Sequence, residues 1–139
     1  MIVLDTNVVS ELIRPRPDAR VLAWVDGQQA RSLTITAVTA AELRYGVARM
    51  SKGRRRTNLE ADIDALITRD FADRVLPFGV DASGAFGAIV VNREAIGQPI
   101  TTADAQLAAI CRTTGATLAT RNIADFIDTG VELVNPWET

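Results

Sequence analysis

Asp5, Glu42, Asp104 and Asp125 are the residues whose type and placement point to chemistry. Asp5 closes the apolar run Ile2-Val3-Leu4, Glu42 and Asp104 stand near the starts of helical stretches, and Asp125 follows Thr117-Leu118-Ala119-Thr120 by one turn. A carboxylate placed directly after a buried strand sits at the carboxyl end of a sheet, where sites form in parallel α/β proteins. Carboxylates gathered at one edge repel one another and normally need a cation between them. The chain has no histidine and a single cysteine. Ser-His-Asp chemistry, histidine bases, and zinc sites built on histidine or CxxC are therefore excluded. Oxygen ligands alone select a hard cation, Mg²⁺ or Mn²⁺. Such an ion activates water and holds a phosphate oxygen, which suits phosphodiester hydrolysis.

Each acid also has a plainer reading. Thr39-x-x-Glu42 has the form of a capping box, Thr101-x-x-Asp104 is a weaker version, and Asp5 is placed to cap a first helix. Asn122 and Asp125 stand where they would cap a short late helix. Caps are common and catalytic acids rare, so any one acid alone favours the cap, whereas the joint placement of all four favours a site. Thr6 and Asn7, next to Asp5, are placed to position a water or a phosphate.

The elements that must position these residues alternate. Ile2–Leu4, 32–36, 74–78, 117–120 and 131–134 read as strands. Helical spacing follows Asp18, runs over 39–49 and 57–71, begins again at a cap on Asp81, and covers 104–114 up to a stop at Gly115. A short helix spans 122–126. Strands alternating with helices predict a parallel sheet covered on both faces. No repeat, low-complexity segment or linker interrupts the pattern, and residues 1–139 read as one domain.

Composition sets the remaining bounds. The chain is 47% hydrophobic and 23% charged, a globular balance. No apolar run is long enough for a bilayer, the N-terminus has no signal-peptide pattern, and a lone cysteine makes no internal disulfide, so a cytoplasmic protein is expected. The net charge of −2 argues against a general nucleic-acid binder. Locally, Lys52-Gly53-Arg54-Arg55-Arg56 is strongly basic. It is either a solvated helix start or, through Arg54, Arg55 and Arg56, a hold on a nucleic-acid backbone. Cys111, Trp24 and Trp137 read as packing residues. The turn after the first strand is neither DxDxT, since Asn7 takes the second acid position, nor GxGxxG.

Several segments together resemble a known family. Met1-Ile2-Val3-Leu4-Asp5-Thr6-Asn7-Val8-Val9-Ser10-Glu11, Ala40-Ala41-Glu42-Leu43-Arg44-Tyr45-Gly46, Ala103-Asp104-Ala105-Gln106-Leu107-Ala108-Ala109, Leu118-Ala119-Thr120-Arg121-Asn122 and Asn135-Pro136-Trp137 resemble the motifs of PIN-domain VapC toxins, especially the FitB-like branch. The resemblance implies a three-layer α/β/α fold around a parallel sheet and cleavage of RNA with Mg²⁺ or Mn²⁺. It implies that Asp5 and Asp104 hold the metal and that Glu42 is the third acid. Some family members carry Asp directly after Thr-Arg, where this sequence has Asn122, so the fourth position falls to Asn122 or Asp125. The resemblance further implies a homodimer and a cognate antitoxin that wraps the toxin, reaches the acidic site with a basic side chain, and carries the DNA-binding module. No membrane role is implied. Competing readings are a PIN-like binding module without activity, a small-molecule phosphohydrolase, and a PIN nuclease outside toxin–antitoxin systems.

Overall fold

The computed structural model describes residues 1–139. Five short strands, β1 (Ile2–Leu4), β2 (Leu33–Thr36), β3 (Val75–Leu76), β4 (Thr117–Ala119) and β5 (Glu132–Val134), form one sheet in the order β3-β2-β1-β4-β5. Every neighbouring pair is parallel, with Ile2 opposite Leu33 and Thr117, Ile35 opposite Val75, and Leu118 opposite Leu133. The helices are α1 (Thr6–Leu12), α2 (Ala19–Asp26), α3 (Ala37–Ala48), α4 (Arg54–Ala65), α5 (Val80–Ala95) and α6 (Thr102–Thr114).

The period-two alternation of strand side chains divides the core into two layers. Val3 and Leu118 face one way and pack with Ala82, Ile89, Leu107, Ile110 and Phe126, under α5 and α6. Leu4 and Ala119 face the other way and pack with Val8, Val21, Ile35, Leu43, Val47, Ile63 and Trp137, under α1 to α4. The result is the expected three-layer α/β/α arrangement, with the central strands buried on both faces. Cys111 is fully buried in the first layer and Trp137 nearly so in the second, as packing residues.

Helix boundaries show where local rules held and where they gave way. Asp18 caps α2, its side chain accepting from Arg20 N. Gly115 ends α6 with φ of 70°, the left-handed turn that glycine adopts without strain. The capping box at Thr39 does not form. α3 starts two residues earlier, capped by Thr36, whose hydroxyl accepts from Thr39 N at 3.1 Å, and Thr39 is buried inside the helix. That leaves Glu42 without a capping duty. α5 begins after Gly79, so Asp81 lies within the first turn instead of capping it. α4 starts at Arg54 and runs into a π-helical turn, Leu66–Asp70, which accommodates the last part of the apolar stripe. The late helix is a 3-10 turn, Ile123–Phe126, and the Asn122 side chain makes no capping bond to it. No helix is long and apolar enough to cross a membrane.

Candidate active site

The carboxyl ends of β1, β2 and β4, with the start of α6, surround a cleft of about 470 Å³ lined by Asp5, Thr6, Asn7, Glu42, Asp104 and Asn122 among others. Asp5 is its most constrained member. The backbone N–H of Asp5 still donates to Ala119 O at 2.9 Å, so the residue leaves the sheet with its main chain fixed. It caps α1, with Oδ1 accepting from Thr6 N at 2.7 Å. Oδ2 accepts from Thr120 Oγ1 at 2.8 Å and from Asn7 Nδ2 at 3.2 Å. Asp5 is 5% exposed. Burial raises its pKa, the hydrogen bonds from Thr120, Thr6 and Asn7 pull it back, and the negative charge of Asp125 raises it again.

Glu42 reaches the same cleft from the first half of α3, where Thr6 Oγ1 donates to its Oε1 at 3.0 Å. Partial burial lifts the Glu42 carboxyl, the Thr6 bond lowers it, and the Asp5 charge lifts it further. Asp104 stands in the first turn of α6, capped by Thr101, whose Oγ1 accepts from Asp104 N at 3.2 Å. Its pKa is pushed up to about 6, first by burial and then by the charges of Asp5, Asp125 and Glu42, against the Thr101 hydrogen bond. Asp125 is exposed on the 3-10 turn. It does not line the cleft, but both Asp5 and Asp104 feel its charge.

The four acids therefore share one electrostatic environment, and none has a basic partner. The chain's ion pairs use Glu11, Asp18, Asp64 and Asp70 instead. No three acids are drawn together tightly enough to enclose an ion, so the arrangement is an open oxygen-lined cleft instead of a closed cage. A donor set of carboxylates with an amide fits a hard divalent cation that keeps part of its water shell, as Mg²⁺ does. Raised carboxyl pKa values are what uncompensated negative charge in a half-buried cleft produces, and a cation would reverse them.

Several expected site residues have structural tasks. Asn7 is engaged at both ends: Nδ2 donates to Asp5 Oδ2 and Thr120 Oγ1, and Oδ1 accepts from Arg121 N at 3.2 Å. Asn7 thus pins α1 to the end of β4 and is not free to handle water. Asn122 lines the cleft, and its backbone N–H donates to Thr120 Oγ1 at 3.0 Å. The basic run is divided. Arg54 and Arg55 line a second groove, between α1, α3 and α4, that shares Thr6 and Glu42 with the cleft. Arg56 instead donates to Met50 O at 3.1 Å and holds the α3–α4 connection.

Sequence reasoning missed Thr120, which is fully buried and links Asp5 to Asn122. Its signals were a hydroxyl at the last position of an apolar strand and its place in the segment Leu118-Ala119-Thr120-Arg121-Asn122. It also missed Arg14 and Arg121, the two basic residues that line the cleft, because neither belongs to a charge run.

A family model for the PIN domain matches residues 2–131. The chain belongs to the PIN-domain family. This PIN-domain chain is 42% identical over 138 residues to a VapC ribonuclease, Y4jK, of Sinorhizobium fredii, with 99% of each chain covered. It is 37% identical over 137 residues to toxin FitB of Neisseria gonorrhoeae, again covering 99% of each. Among solved structures, that of FitAB bound to an IR36 DNA fragment superposes with a TM-score of 0.92 at 36% identity, covering 99% of this chain and 96% of the other. The PIN-domain reading, and its placement beside VapC and FitB toxins, agree with the motifs at Asp5, Glu42, Asp104 and Asn122.

Proposed function

We propose that this PIN-domain chain is a metal-dependent endoribonuclease, the toxin of a VapBC-like type II toxin–antitoxin pair. The observation that carries the proposal is the group of acids without basic partners, with Asp104 pushed up to about 6 by burial and by Asp5, Asp125 and Glu42. In this reading Asp5 and Asp104 hold Mg²⁺ or Mn²⁺, and Glu42 is the third acid. When bound, the ion supplies the positive charge that a phosphodiester's transition state requires and makes water a better nucleophile.

The chain's own residues do the rest. Thr120, Thr6 and Asn7 fix both oxygens of Asp5, so the carboxylate presents its remaining lone pairs in one orientation. Thr6 holds Glu42 Oε1 and leaves Oε2 to accept the proton that the attacking water loses. Asn122 offers an amide oxygen from the cleft wall, and Asp125 adds charge from one turn further on. Support for the fold of this function comes from the similar VapC ribonuclease and toxin FitB. In the reading, a cognate antitoxin covers the cleft and supplies DNA contact, and two copies of the chain pair as a homodimer. The similar FitAB structure, a complex bound to DNA, supports a protein partner and a DNA-bound assembly.

The test is cleavage of a mixed RNA pool by folded, antitoxin-free protein in Mg²⁺, in Mn²⁺ and in EDTA, beside Asp5→Asn and Asp104→Asn. The expected result is metal-dependent cutting that both variants lose by at least about a hundredfold. Full activity in EDTA, or in Asp5→Asn, would overturn the assignment. Inactivity of the wild type would move the reading to a binding module.

A further inference from the structure

We propose that Arg14 and Arg121 form a two-point phosphate clamp that holds a single RNA strand across the acidic cleft. The clamp rests on the ribonuclease reading above and extends it to substrate binding. A cleft rich in carboxylates repels a polyanion at every point except where a cation sits, so the strand needs positive charge on its flanks. Arg14 and Arg121 are the only basic residues that line this cleft.

Each is held by a buried partner. Arg14 Nη1 lies 3.2 Å from Oε1 of Glu11, whose side chain is 8% exposed while that of Arg14 is 66% exposed. Glu11 is itself fixed, because its Oε2 accepts from Asp18 N at 2.9 Å. The Arg121 guanidinium lies over the ring of Trp137 at 4.9 Å, and Trp137 is 5% exposed. The Arg121 backbone is tied through Asn7 to Asp5. Neither arginine pairs with Asp5, Glu42, Asp104 or Asp125; Arg121 has no acid partner, and Arg14 is paired through one nitrogen with Glu11.

Arg121 rises from the end of β4 against Trp137, and Arg14, just after α1, also lines the groove between α1, α3 and α4. A planar guanidinium offers a two-pronged donor edge that matches phosphate oxygens, and stacking on an indole or pairing at one nitrogen leaves part of that edge free. The cleft, of about 470 Å³, is of small-molecule size.

The test uses a fluorescein-labelled oligouridylate bound in EDTA, followed by anisotropy at several salt concentrations, with cleavage kinetics in Mn²⁺ alongside. Arg14→Gln, Arg121→Gln and their double variant are compared with Arg69→Gln, a charge control on an exposed site paired with Asp70. Circular dichroism verifies folding, and Arg14→Lys and Arg121→Lys test for rescue. Each single Gln variant should lower the slope of log affinity against log salt by about 0.7, and the double by about twice that. Their KM should rise about tenfold with kcat nearly unchanged, because a flanking phosphate contact is the same in ground and transition states. The Lys variants should restore the slope and part of the affinity. A double variant with wild-type slope and KM, while the wild type cleaves RNA, would overturn the clamp and leave the ribonuclease reading intact. An equal loss in Arg69→Gln would also overturn it, by showing a general charge effect. A wild type that neither cleaves nor binds RNA would overturn both.

Discussion

Replacing Thr120 by valine removes one hydroxyl from the centre of the site while keeping its shape. In the native chain that hydroxyl donates to Asp5 Oδ2 at 2.8 Å with both residues buried, and accepts from Asn122 N at 3.0 Å. A hydrogen bond to a buried charged group contributes about 1.5–3 kcal/mol. Its loss acts mainly on the ionised form of Asp5, so the carboxyl pKa, already raised by burial, should climb further. The sign follows by linkage. A carboxyl whose folded pKa is raised binds its proton more tightly when folded. Its stabilising contribution is therefore complete below the unfolded value and is lost as pH rises through the folded value. Thr120→Val should then cost about 1.5–3 kcal/mol at pH 8, where Asp5 is ionised, and clearly less near pH 4. Urea unfolding of both proteins at the two pH values, without divalent cation, reads this directly. Calorimetric Mn²⁺ titration at pH 8 should show affinity weaker by about 10–100-fold. A cost below about 0.5 kcal/mol at pH 8, or an equal cost at both pH values, would refute the claim that Thr120 acts through the Asp5 charge.

Three further outcomes are expected. Asp104, with its pKa near 6, should make the metal-free protein lose stability as pH rises from about 4 through 6, while metal-dependent cleavage rises over the same range and then levels; Asp104→Asn should flatten the first profile in thermal melts at several pH values. The buried Arg93 has no acid partner and donates to Gln98 O at 2.7 Å, Ile127 O at 2.7 Å and Ala124 O at 3.4 Å; Arg93→Met should cost about 2–4 kcal/mol in urea unfolding by leaving these carbonyls without their donor, and Arg93→Lys should recover part of it. Gly115→Ala meets nothing within 4 Å but must adopt φ of +70°, so thermal unfolding should register a pure backbone cost of about 1–2 kcal/mol.

The fold was legible in the sequence because its signals were local. Ile2-Val3-Leu4 and Leu33-Thr34-Ile35-Thr36 could bury both faces only in a covered parallel sheet, and the strand ends then placed Asp5, Glu42 and Asp104 at one edge. What stayed hidden depended on contacts between distant residues. Thr36 and Thr39 are equally good caps by composition, and only packing decides that Thr39 enters the core of α3. Arg14 and Arg121 are ordinary surface arginines until the fold sets Glu11 and Trp137 behind them. The run at 54–56 looked like one unit, yet helical rotation sends Arg54 and Arg55 to a groove and Arg56 to a loop carbonyl.

The position of β1 in the sheet has a consequence in time. Although it comes first in the chain, β1 is the middle strand, bonded on one side to β2 and on the other to β4. The bond from Thr120 to Asp5 spans 115 residues. During synthesis Asp5 is made well before half of its sheet pairing and before its main hydrogen-bond donor. Contacts this distant in sequence form late in folding. For a chain proposed to cut RNA, the nascent protein beside the ribosome's own RNA has no assembled site until Thr120 has been made and has joined Asp5.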